Sequence, residues 1–155
     1  MISAQAVSIV ESDLYRAIVE LGPDAVICSD CNGMIRVWNR GAEAVFGYSS
    51  AEVLGKSLDI IIPEQLRDAH WKGFRKAIDT GQTRHQGRAL VTRSVHKDGS
   101  RLYVELSFGL VKNMAGAVTG AFATGRDCTA RYLSELALRA RVSELEGKLT
   151  ASGEQ

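Results

Sequence analysis

The chain has 155 residues, 45% of them hydrophobic, and a net charge of +1. That suits one domain with a modest core, and it points away from nucleic acid and anionic membrane surfaces as partners. No apolar run approaches the ~20 residues that cross a bilayer. The N-terminal "MISAQAVSIVESDLYRA" has no basic leader and is broken by acidic residues, so no signal peptide is read and a cytoplasmic location is expected.

The first predicted element is an amphipathic helix over "SDLYRAIVELG". Leu14, Ile18 and Leu21 fall at helical spacing, Ser12 is the candidate N-cap, and Gly22-Pro23 is the stop. "DAVICSD" reads as a strand, "CNG" as a turn, and "MIRVWN" as a second strand in which Ile35 and Val37 alternate with Arg36 and Trp38. Cys28 and Cys31 form a C-x-x-C pair, but the chain has three cysteines, which argues against a disulfide framework. Zinc would need a second ligand pair that the sequence lacks, and a redox pair would open a helix. Here the pair ends in Asn32-Gly33, so the thiols read as incidental to a strand end and a hairpin turn.

"RGAEAVFGY" predicts a short helix ended by Gly47. "SSAEVLG" predicts another, with Ser49 and Ser50 as cap candidates, Glu52 behind them and Gly55 as the stop. The apolar run "SLDIIIPEQL" leads into Pro63, which suits the first position of a helix reaching about Asp79 and ended by Gly81. His70 lies on that helix. Leu66, His70, Phe74 and Ala77 share one face with Ile78, and Asp68, Lys72 and Lys76 mark a polar one. Three strands follow: "GRALVTRSV", joined by the hairpin signal "HKDGS" to "RLYVELSFGLVKN", then the turn "MAGA" and "VTGAFATGRDCT". Tight turns between consecutive strands imply an antiparallel sheet with helices on one side, an α+β domain.

The tail "TARYLSELALRARVSELEGKLTASGEQ" is helical in pattern. Leu138, Val142, Leu145 and Leu149 follow the 4-3-4 spacing of a coiled-coil seam, with Arg141, Glu144, Glu146 and Lys148 around it, whereas upstream the seam would fall on Glu135 and Arg131. Such a helix either packs back on its own sheet or extends and pairs between subunits. The second is the expectation, because little apolar surface remains for it to pack on. The organisation expected is an N-terminal helical cap at 1–17, a central domain at 18–129 and a C-terminal coiled-coil helix at 130–155.

Between Ile18 and Thr129 the chain resembles the S-box type of PAS domain. The matching residues are "DAVICSDCNGMIRVWNRGAEAVFGYSSAEVLGKSL", with its W-N, F-G-Y and E-V-L-G-K, and later K-D-G-S and G-x-x-R-D-x-T, where Cys128 stands in place of the family's usual Ile. The resemblance implies a five-stranded antiparallel sheet of order 2-1-5-4-3 with short helices over one face enclosing a pocket. It also implies a sensing or dimerising role relayed through the C-terminal helix to an effector, with Asp127 and Thr129 at the joint. A homodimer through the C-terminal helix follows, and the N-terminal helix is a second candidate contact.

Within that family the flavin photoreceptors carry N-C-R-F-L-Q before the long helix. "GKSLDIIIPEQL" stands there instead, so flavin is not expected. In the haem-binding PAS sensors of oxygen, a His on the long helix holds iron after the pattern I-P-x-x-x-R-x-x-H. Ile62, Pro63, Arg67 and His70 reproduce those intervals, and the interval from His70 to Asp98-Gly99 matches as well. The resemblance therefore implies haem b with His70 as axial ligand, Leu66 and Phe74 beside it, and Arg67, Lys72, Arg75 and Arg84 as candidate partners of the propionates. On the distal side Leu90 takes the place of the oxygen-binding arginine, and Arg88 that of a ligating methionine. A Leu there would suit CO or NO better than O₂. The alternative is a domain that is empty or holds another small ligand. His85 and His96 lie in or beside turns and are not expected to be ligands. No nucleophile–base set, Walker loop or catalytic carboxylate pair appears, so no enzyme activity is expected.

Overall fold

The computed structural model describes residues 10–84 and 87–152. The first helix, α1 (Glu11–Leu21), starts ahead of the predicted cap. Val10 occupies the cap position with no side-chain hydrogen bond, and Ser12 lies inside the first turn between Glu11 and Asp13, whose charges suit a helix N-terminus. α1 runs through the expected boundary at residue 17 and ends at Gly22, which is extended ahead of Pro23. Its apolar stripe is not in the core, since Leu14, Ile18 and Leu21 are 41%, 61% and 67% exposed.

Strands β1 (Ala25–Asp30) and β2 (Ile35–Trp38) form the predicted hairpin. Asp30 makes the turn: its Oδ1 accepts from the Asn32 and Met34 amides at 2.9 and 3.0 Å, and Gly33 supplies the left-handed φ of +76°. Cys28 lies in β1 and Cys31 in the turn, both as free thiols, and burial pushes the Cys28 thiol pKa up. Helix α2 (Arg40–Phe46) ends at Gly47, in the left-handed region as expected. In α3 (Ser50–Val53) Ser49 and Glu52 form the capping box, and the Ser49 amide donates to Glu52 at 2.8 Å. α3 stops at Leu54, one residue short of the predicted Gly55, whose amide instead donates to the Ile35 carbonyl.

Two 3-10 turns follow, Leu58–Ile61 and Glu64–Leu66, and then α4 (Arg67–Thr80). Pro63 does not occupy the first helical position. Its extended ψ of 135° sets the chain into the second 3-10 turn, closed by the Leu66 amide on the Pro63 carbonyl at 2.8 Å. Gly81 caps α4 with φ +66° and an amide donated to Ala77.

The remaining strands are β3 (Leu90–Val95), β4 (Arg101–Lys112) and β5 (Val118–Asp127). β3 begins three residues later than Gly87, the predicted start, and Arg88 is exposed outside it, so the shared-face argument from strand alternation does not reach Arg88. The sheet is antiparallel throughout with order β2-β1-β5-β4-β3. Pairings such as Ile27 with Ala123 and Phe108 with Ala123 set one face toward the helices. Val104 on that face packs in one core with Ile35, Phe46 and Val53, all fully buried. Removing any of these large side chains would cost about 2–5 kcal/mol.

Buried Asn39 ties three elements to that core. Its Oδ1 accepts from the Val26 and Ala42 amides at 2.8 and 2.9 Å, and its Nδ2 donates to the carbonyls of Val19 and Asp24 at 2.7 and 2.9 Å. One side chain thus caps α2 and holds the end of α1 and the start of β1.

Helix α5 (Thr129–Ser152) leaves the sheet at β4, where Tyr103 and Tyr132 stack at 4.4 Å and Arg131 pairs with Glu105 at 3.0 Å. Its 24 residues span about 36 Å. Leu138, Val142, Leu145 and Leu149 are all exposed, so the seam does not pack back on the sheet.

Candidate functional site

The face predicted for α4 is the one that turns inward. Leu66, His70, Phe74, Ala77 and Ile78 are half-buried, whereas Asp68, Lys72 and Lys76 are exposed. None of the fourteen residues of α4 is fully buried, so this helix packs loosely over the sheet. Across from it lies the inner face of the sheet. Leu90 pairs with Leu106 on that face, and β5 offers only Ala121, Ala123 and Gly125 there. Ser29 and Ser94 also face inward and are buried.

His70 is the chemical centre of α4. Its ring stacks on Phe74 at 6.0 Å and meets the edge of Trp71 at 4.9 Å. Among the described residues, its Nδ1 is the one side-chain nitrogen or oxygen that is fully buried and unpartnered. Burial holds the His70 pKa below the ordinary imidazole value, against a weaker upward pull from the Asp59 carboxylate. The ring is therefore neutral at physiological pH and carries a free lone pair. A neutral imidazole in an apolar wall can ligate a metal centre or bond a polar ligand. A buried ring nitrogen with no protein partner is free to meet a ligand, which fits either use.

Sequence reasoning missed the frame that holds this ring. Trp71 donates its indole N–H to Asp59 Oδ1 at 2.8 Å, and a Cβ added to Gly33 would lie 2.2 Å from the indole ring. Trp71 thus joins α4 to the first 3-10 turn and to the β1–β2 turn. Arg67, expected near a propionate, donates to the carbonyls of Ile62 and Asp59 at 3.2 and 3.1 Å and anchors the first turn of α4. Nothing in the twelve-residue spacing of Asp59 and Trp71 announces the contact, and the family's pattern has no aromatic at 71.

The other expected residues are less drawn together. Leu90 opens β3 on the inner face, while Arg88 is exposed before it; Lys72, Arg75 and Arg84 are exposed. His85 lies outside the described residues. His96 packs its ring against Gly47 and pairs with Asp98 at 3.0 Å, holding the β3–β4 turn to α2. A cleft of about 250 Å³ opens between the second 3-10 turn and β3, lined by Pro63, Gln65, Ser94 and Arg101 among others. No residue of α4 lines this cleft, so it is distinct from the space in front of His70. Among the described residues no group of three or more His, Cys, Asp or Glu could hold a bare metal ion, and no helix is long and apolar enough to cross a membrane.

A five-stranded antiparallel sheet of order β2-β1-β5-β4-β3 with short helices over one face defines the class of domain. The sequence profile of the PAS fold matches residues 13–128, and the chain belongs to the PAS family. An uncharacterized protein of Azorhizobium caulinodans is 33% identical over 124 residues, which cover 79% of this chain and 17% of that protein. The sensor protein FixL of Bradyrhizobium diazoefficiens is 28% identical over 141 residues, 90% of this chain and 28% of FixL. The oxygen sensor protein DosP of Escherichia coli is 31% identical over 80 residues, 52% of this chain and 10% of DosP. The chain thus spans less than a third of each of these relatives. Among solved structures, the PAS domain of a Colwellia psychrerythraea protein superposes with a TM-score of 0.67 at 21% identity, over 77% of this chain and 98% of that one. An RNA-binding light-oxygen-voltage receptor gives 0.68 at 24% identity, over 92% and 40%. At those identities the likeness is one of fold.

Proposed function

We propose that this chain is a PAS sensory module that takes haem b between α4 and the inner face of the sheet, with His70 as axial ligand, and that it reports a diatomic gas, O₂, CO or NO. The observation that carries this reading is the neutral, half-buried His70 ring with its orphaned Nδ1. The likeness to FixL and to the oxygen sensor DosP supports it. When bound, haem iron held by His70 would supply a further coordination position for the gas. The chain's own residues do the rest. His70 presents the ligating nitrogen, Leu66 and Phe74 hold its ring on the inward face, and Leu90 closes the opposite wall. Leu90 offers no hydrogen bond, which favours CO or NO over O₂, while Arg88 is exposed ahead of β3.

The signal leaves through α5. Thr129 pins its first turn by accepting the Tyr103 amide at 2.9 Å, and the exposed seam of Leu138, Val142, Leu145 and Leu149 pairs with a second copy. A change in the sheet then alters the helix pair and whatever effector follows it.

The cleft of about 250 Å³ between the second 3-10 turn and β3, which His70 does not line, favours a second reading, a PAS module that is cofactor-free or binds a smaller ligand. An absorption spectrum from about 350 to 600 nm after hemin addition separates the two. A Soret band that His70→Ala abolishes supports the haem sensor. Protein that stays colourless with added hemin sinks it and leaves the second reading.

A further inference from the structure

β3 is an edge strand: β4 pairs with one side of it, and no strand of the sheet takes the other. The register shows which of its backbone groups are left over. Tyr103 lies opposite Arg93, and its amide and carbonyl point away from β3, to Thr129 Oγ1 at 2.9 Å and to the Cys128 amide at 2.8 Å. In an antiparallel ladder the partner of such a residue also turns its backbone away from the pair. The alternation therefore aims the amides and carbonyls of Val91, Arg93 and Val95 at the open edge, while those of Thr92 and Ser94 bond β4. The His96 amide, donated to Ser100 at 2.9 Å, agrees with this phase. Among the described residues, no other backbone group meets the three at the edge.

The cleft of about 250 Å³ lies along that edge. Arg93, Ser94 and Val95 line it on one side, Pro63, Glu64 and Gln65 on the other, and Gly99 and Arg101 at the hairpin end. Arg93 and Arg101 are exposed, and among the described residues neither makes an ion pair or a side-chain hydrogen bond. They are diagonal neighbours across the β3–β4 pair, so their charges repel, and Glu64 is the one acid lining the cleft with them. A second copy offering the same edge would bring its own arginines and add to the repulsion, which is how charged edges avoid pairing with themselves. A chain that carries carboxylates relieves it.

We propose that the open edge of β3 is a docking site for an extended acidic segment of a partner protein, which adds to the five-stranded sheet as a further strand. The segment's backbone bonds Val91, Arg93 and Val95, and carboxylates at every second residue reach Arg93 and Arg101. Side chains of the other parity enter the cleft beside Pro63. β3 has six residues, or about 20 Å, which sets the length the segment needs. The site is separate from His70, so the proposal stands whether or not the chain holds haem.

The probe is an end-blocked peptide of alternating valine and glutamate, about eight residues long, titrated into the full chain and followed by amide hydrogen exchange. The amides of Val91, Arg93 and Val95, open in the free chain, are expected to gain protection, whereas those of Thr92 and Ser94 are protected with or without peptide. Arg93→Gln combined with Arg101→Gln should weaken binding by roughly tenfold. Added salt should weaken wild-type binding in the same direction. The same peptide N-methylated throughout keeps its carboxylates but cannot form a ladder, so it should leave the three amides open. No protection at about millimolar peptide overturns the proposal, and so does binding of the methylated peptide as tight as that of the parent, which would reduce the site to charge alone. Protection that grows with protein concentration in the absence of peptide overturns it as well, because the edge then belongs to a second copy.

Discussion

The indole N–H of Trp71 lies 2.8 Å from Asp59 Oδ1, and the face of the same ring covers Gly33. One side chain therefore joins the long helix, the first 3-10 turn and the β1–β2 turn, directly beside His70.

That packing makes Gly33 sensitive. Gly33→Ala would place a Cβ 2.2 Å from the indole ring at a residue with φ +76°. The left-handed backbone and the clash together should cost roughly 2–4 kcal/mol. Denaturant melts followed by tryptophan emission should show the lost stability, with altered native-state emission as Trp71 is displaced. A midpoint within error of the wild type would contradict the contact.

Asn39 has the largest expected effect on folding outside the apolar core. Asn39→Ala removes a helix cap and leaves the Val26 amide and the Val19 and Asp24 carbonyls without their partner. A loss of about 2–4 kcal/mol should follow. Asn39→Asp keeps the acceptor and loses both donations, so it should fall between the two in a urea titration.

His70 gives stability a slope on the acid side. Burial lowers its pKa in the folded chain below the ordinary value of 6.5, so the unfolded chain binds this proton more readily. The stabilisation is complete above pH 6.5 and drains away as pH falls through that value toward the lower folded pKa. His70→Phe should flatten the thermal midpoint between pH 7 and 5.5, and an equally steep profile in that variant would count against a buried neutral ring. A second loss is expected further down. Glu52 and Asp98 are held at about 2 by Lys97 and by Ser100 with His96, so their stabilisation is present above about pH 4.5 and lost toward pH 2.

Thr129 is the pin of the exit helix. Its Oγ1 accepts the Tyr103 amide at 2.9 Å, and its own amide donates to Asp127 Oδ1 at 2.8 Å. Thr129→Val keeps the shape and removes the acceptor. Hydrogen exchange at the Tyr103 amide should speed up by about tenfold, the equivalent of one lost hydrogen bond. Unchanged protection there would show that α5 is held by its ring and ion-pair contacts alone.

Much of this molecule is legible in the residues. Asn32-Gly33, Gly47, Gly81 and Asp98-Gly99 mark real turns and caps because each supplies a backbone conformation or local hydrogen bond that depends on its neighbours in the chain. The inward face of α4 is likewise readable, since helical spacing alone puts Leu66, His70 and Phe74 in line. Element starts were less legible. Ser12 is not the cap, because the helix begins at Glu11 with Val10 at the cap position, and Pro63 enters a 3-10 turn before the helix. Arg88, expected on a strand, stands outside it because β3 begins only where Leu90 finds Leu106.

By itself the sequence determined the order of elements, the antiparallel sheet with helices on one face, and a histidine on the face that turns inward. These follow from turn chemistry and from the two periodicities, which are local. Only the tertiary structure decided what surrounds that histidine. The approach of α4 to the first 3-10 turn and to Gly33 brings Asp59, Trp71 and His70 together, and it leaves Nδ1 buried without a partner. Such a contact depends on the angle at which one packed element meets another, and no pattern along the chain encodes that angle.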